Sequence, residues 1–169
     1  MLPILSWLTV VVMAASVEVS VLSRLDLWGL RPNVVLLLVV CWSLVRGFEE
    51  GTIVGLVGGL AMDFGSGAIL GVHTSALALV SMLIALSEST LYRGSLAFFA
   101  GTAVLVTACY HGAQLLVLWA TSQDIPPFIQ LVRVITPIVL INVLLFPAVF
   151  VLAQRVARAT SGWRQLELD

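Results

Sequence analysis

Long apolar stretches alternate with short polar breaks along the whole chain. The first stretch covers residues 2–22 and is interrupted only by Glu18. Arg24, Asp26 and Arg31-Pro32-Asn33 then mark a loop. A second stretch, residues 34–45, ends at Arg46, and Gly47-Phe48-Glu49-Glu50 makes a turn. A glycine-rich third stretch, residues 51–64, ends near Asp63 and is followed by Gly65-Ser66-Gly67. The fourth lies between Ile69 and Glu88, and the fifth, from Gly94 to Ala120, has a polar centre. Pro126-Pro127 precede the last stretch, which contains Pro137 and Pro147.

A bilayer-crossing helix needs about 20 mostly apolar residues. The pattern therefore predicts an all-α polytopic membrane protein of about six spans, near 2–22, 33–46, 51–64, 69–87, 94–120 and 128–156. Residues 1–157 form one bundle on this reading, and 158–169 a short polar tail in the cytoplasm. Helices follow because hydrocarbon cannot satisfy a free backbone group. A barrel is excluded by the lack of strand-like alternation. The second span is short, roughly 22 Å at 1.5 Å per residue. It must thin the bilayer, sit inside the bundle, or form half of a tight helical hairpin. The last span is expected to kink or restart at its prolines.

Composition strengthens the membrane reading. The chain is 60% hydrophobic and 10% charged, with a mean hydropathy of +1.12. Soluble domains carry about 25% charged residues. A net charge of −1 leaves no basic footprint for nucleic acid. All eight basic residues are arginine, a bias with no functional reading. Six spans put both termini on one side, with Arg46, Arg93, Arg155, Arg158 and Arg164; Arg24, Arg31 and Arg133 fall on the other. The arginine excess places the termini in the cytoplasm. The N-terminus lacks a basic segment, so the first stretch is expected to persist as a helix. Cys41 and Cys109 lie in apolar runs and are expected to be buried, inert thiols.

Gly51, Gly55, Gly59, Asp63 and Gly67 recur every four residues and fall on one helical ridge, widened by Gly58. Small residues let helix backbones approach closely in membranes. The ridge serves tight packing within the chain, a docking groove for a partner's helix, or both along different edges. Asp63 is expected to cap a helix end and anchor the following loop, or to line a polar pocket with His73 or Arg46. His111 shares a face with Thr107 and Gln114. These groups and Asn142 make interhelical hydrogen bonds or line a cavity. Glu18 is expected to reach the outer headgroup layer, with a pocket role as the alternative. No catalytic or metal-binding motif is present in the sequence, so neither an enzyme nor a cofactor is expected.

One ordered set of residues resembles a known family. Arg31-Pro32-Asn33, the apolar run to Arg46, and Gly55-x-x-x-Gly59-x-x-x-Asp63-x-x-Ser66-Gly67-x-x-Leu70-Gly71-Val72 are similar to MreD, with Asn142, Pro147 and Arg155 matching its last helix. MreD is the small membrane subunit of the bacterial rod-shape system. The resemblance implies a fold similar to the substrate-binding S-components of energy-coupling-factor transporters. It implies a non-catalytic scaffold of the inner membrane that binds MreC and acts with MreB filaments, RodA and a class B transpeptidase. Pro32, Asn33, Ser66, Gly67 and Gly71 would be its loop motif. A homodimer through a glycine face stays open. Two other function classes also remain: a small-molecule-binding subunit of a transporter, and an enzyme acting on lipid through Asp63 and His73.

Overall fold

The computed structural model describes residues 2–22, 33–67, 69–86, 96–121 and 128–161. All regular structure among them is helical. The elements are α1 (Leu2–Val17), running on into a π-helical turn at Glu18–Leu22; α2 (Val34–Arg46); α3 (Phe48–Ser66); α4 (Val72–Leu86); α5 (Leu96–Ala120); and α6 (Phe128–Ser161).

The shortest of these helices occupies the centre. α2 is apolar on every side, and residues 35–44 are all buried. A helix without a polar face has to be covered on all faces. α1, α3, α4, α5 and α6 provide the cover, following one another in that order around α2, with α6 touching α1 to close the ring. Of the three fates open to the short span, the structure shows the second and third together. α2 sits inside the bundle and is also one arm of a tight hairpin.

Gly47 alone joins α2 to α3, at a φ of 84° that disfavours any side chain. Its N–H donates to the Ser43 carbonyl, and its own carbonyl accepts from the Gly51 N–H. Arg46 and Glu50 close the hairpin with two hydrogen bonds, at 3.0 and 2.9 Å. Next to them the indoles of Trp7 and Trp42 stack at 4.7 Å, with the Arg46 guanidinium over the Trp42 ring.

The glycine face of α3 is filled by the chain's own helices. A Cβ at Gly51 would strike Ser43 of α2, and one at Gly59 the backbone of Thr74 in α4. At Gly55 it would meet Ser81 and Leu77 of α4, and at Gly58 Val11 of α1. A partner helix therefore finds no open backbone at Gly51, Gly55, Gly58 or Gly59; this corrects the docking-groove expectation for those residues. The packing half of that expectation describes what they do.

Of the kink or restart expected of α6, there is no restart: the helix is continuous through Pro137 and Pro147. α5 and α6 contain two segments long and apolar enough to cross a membrane, Ala97–Ala120 and Ile129–Ala159. The outward faces of the ring carry many large apolar side chains: Met13, Phe64, Leu83, Leu116 and Leu144 are all exposed. Cys41 is buried in α2 and Cys109 half-buried in α5.

Candidate functional site

Polar side chains gather at the end of the bundle where α2 and α4 begin. Their first task is to complete helix ends. The first turn of a helix leaves its N–H groups without intrahelical partners. In α2 these are met by an acceptor set drawn from two places. The Val35 N–H donates to Glu18 Oε2 at 3.0 Å, the Leu36 N–H to Asn33 Oδ1 at 3.0 Å, and the Leu37 N–H to the Asn33 carbonyl. Glu18 thus turns inward and lines a recess, the pocket alternative rather than the headgroup layer.

Asp63 does the same for α4. Its Oδ1 accepts from the His73 N–H at 2.9 Å. Its Oδ2 accepts from the N–H groups of Gly71 and Thr74, at 2.9 and 3.1 Å, and from the Thr74 hydroxyl. The chain can fold back onto this carboxylate because Gly67 and Gly71 adopt φ of 66° and 102°. Asp63 is almost completely buried, and every contact that satisfies it is a donor from the head of the next helix.

Beside this clasp lies a recess of about 460 Å³, lined among others by Glu18, Asn33, His73, Tyr110, His111 and Gln114. Its polar groups form a chain. The Tyr110 hydroxyl and the Gln114 amide nitrogen both meet His73 Nδ1, at 2.7 and 3.0 Å, and Gln114 Oε1 meets His111 Nδ1 at 3.1 Å. One amide offers one oxygen and one NH2, so of the two Nδ1 atoms it joins one donates and the other accepts. In neutral rings the Nε2 roles are then opposite as well, and His111 Nε2 is buried without a partner.

Two of the expected pocket residues lie elsewhere. Arg46 is at the opposite end, paired with Glu50, which is about 20 Å along α3 from Asp63 at 1.5 Å per residue. Asn142 is buried in the middle of the α5–α6 interface, where its Nδ2 donates to Thr107 Oγ1 at 3.0 Å. Arg46 and Asn142 are thereby corrected as pocket groups: one is held by the hairpin, the other by a hydroxyl on a neighbouring helix. Asp63 stands next to the recess but spends its lone pairs on α4. The lipid-enzyme reading needed an acid–base pair of Asp63 and His73, yet the carboxylate meets only the backbone N–H of His73, while the ring turns to Tyr110 and Gln114. At the Arg46 end a second depression of about 450 Å³ is lined by Arg46, Gln154 and Arg158.

The sequence model of the family described as rod shape-determining protein MreD matches residues 1–156. The chain belongs to the MreD family. No curated protein and no solved structure matches it. It is accordingly a rod shape-determining membrane protein.

The geometry gives the MreD-like residues a physical role. Gly55, Gly59 and Asp63 form one stripe against α4, two glycines for backbone approach and a carboxylate to receive the N–H groups at its end. Gly67 and Gly71 supply the turn, and Asn33 caps α2. Ser66 and Gly67 end α3 beside the recess. Arg31 and Pro32 lie outside the described residues. Sequence reasoning missed Tyr110 as a recess group and Thr74 as a partner of Asp63. Tyr110 carried a signal, a hydroxyl one residue before His111 in an otherwise apolar span.

Proposed function

We propose that this MreD-family chain crosses the bacterial cytoplasmic membrane six times, with both termini in the cytoplasm, and serves as a non-catalytic scaffold of peptidoglycan elongation. On this reading it binds MreC directly. Through the assembled complex it joins MreB, RodA and a class B transpeptidase. The family match over residues 1–156 carries the proposal and favours it over a transport subunit. The apolar outer faces of the ring support it as well, since a contiguous apolar exterior of this extent marks contact with lipid or another protein.

The filled glycine face moves the expected MreC contact onto the outer faces of the ring. The arginines at the Arg46 end, including Arg155 and Arg158, are available to cytoplasmic partners. Co-expression with an MreC candidate, with single cysteines placed at Leu5, Phe64, Leu83 and Leu144, tests the reading; all four side chains are exposed. MreC should copurify and cross-link strongly at one or two adjoining positions. Absence of copurification, or equal weak labelling at all four, would refute a specific partnership.

A further inference from the structure

The polar recess does not end at its polar groups. His111, Gln114 and Val134 also line a second space of about 310 Å³ between α5 and α6. Its remaining walls are mostly apolar, with Leu115, Leu118, Leu131 and Ile135. The two spaces adjoin, one hydrogen-bonding and one oily. Each lies within the roughly 300–1,000 Å³ typical of small-molecule sites.

The recess is selective in charge and in hydrogen-bond pattern. Among the described residues no Arg or Lys lines either space, and the Glu18 carboxylate borders the recess. A phosphate or carboxylate head would meet no cation among those described residues, a costly burial. Against that stands a complementary pair: because the Gln114 amide joins both Nδ1 atoms, one of the two neutral rings carries a donor at Nε2 and the other an acceptor. A hydroxyl both donates and accepts, and so suits such a pair.

We propose that this bipartite space holds one lipid with an uncharged, hydroxyl-bearing head, of the glycosyl or glycerol class. The head occupies the recess and a chain lies in the groove between α5 and α6. The proposal rests on the six-span reading above, because the groove must face lipid. It does not depend on MreC. In that topology the recess belongs to the outer leaflet.

The test uses the full chain purified in mild detergent, with retained lipid read by native mass spectrometry. Val134→Trp fills the junction of the two spaces from an exposed position, and Leu144→Trp places the same bulk on the outer face of α6. The parent and Leu144→Trp should retain an uncharged hydroxyl lipid, and Val134→Trp should lose it at least tenfold. Returning monoacylglycerol to stripped protein should raise its Tm, while glycerol at the same concentration should not. Equal lipid in Val134→Trp, an anionic lipid as the retained species, no lipid with no Tm rise, or a rise given equally by glycerol would each overturn the proposal. Failure of all variants to insert into membranes would instead refute the six-span reading.

Discussion

Asp63 shows how much a single carboxylate can organise. Hydrogen bonds to charged groups contribute roughly 1.5–3 kcal/mol each. Here three backbone N–H groups and a hydroxyl converge on two oxygens. Asp63→Asn keeps the shape but swaps an acceptor for an NH2 group. If the amide oxygen stays on His73, the new donors face those of Gly71 and Thr74. We expect this substitution to cost about 2–4 kcal/mol on that scale, read as a clear fall in Tm in detergent, with Asp63→Glu recovering only part. A Tm within a degree of the parent would show that the clasp is dispensable. Cap function at Asp63 was legible in the sequence, but its partner was not. A bond from a side chain to a backbone N–H 8–11 residues on leaves no mark in residue identity. The same blindness explains Glu18, whose partner lies 17 residues away.

At the scale of elements, the glycines of α3 decide how closely α3 and α4 approach. Gly59 stands against the Thr74 and His73 backbone, which cannot move aside as a flexible side chain could. Gly59→Leu should therefore prevent a monodisperse bundle from forming. Leu56→Ala, one turn away on the exposed face, should have little effect. Size-exclusion profiles in detergent would separate the two, and a normal profile for Gly59→Leu would show that the helices part without harm. The ridge was visible in the four-residue spacing. What it packed against was not, because small residues permit approach by an internal and an external helix alike. α2 was more legible. Thirteen residues without a polar face are too few to span comfortably and too apolar to expose. α6 was legible in extent, and of the kink or restart expected at its prolines the helix shows no restart.

The whole molecule is a ring of helices around a shorter one, with polar clusters at two ends and the Asn142–Thr107 pair between them. Among the described arginines, Arg46, Arg155 and Arg158 share one end of the bundle, while Arg133 lies in the other half of α6. With that end in the cytoplasm, a C-terminal reporter active only outside the cytoplasm should stay silent and a cytoplasmic fluorescent reporter should be bright. The reverse result would invert the assignment. The recess and its contents would then belong to the inner leaflet. Periodicity and composition made the helical bundle legible. The recess was only half so, because Gln114 and the two histidines are polar signals in apolar runs, whereas the network joining them depends on how α4 meets α5.

The central helix is anchored at both extremities, by Glu18 and Asn33 above and by the one-residue hairpin below. It therefore acts as a strut of fixed height, about 20 Å at 1.5 Å per residue. The surrounding wall must instead match the thickness of whatever lipid encloses it, by tilting. A thicker bilayer cannot lengthen the strut. Because α1 and α3 hold its two ends, those helices cannot slide past it, and a thicker bilayer has to thin around them.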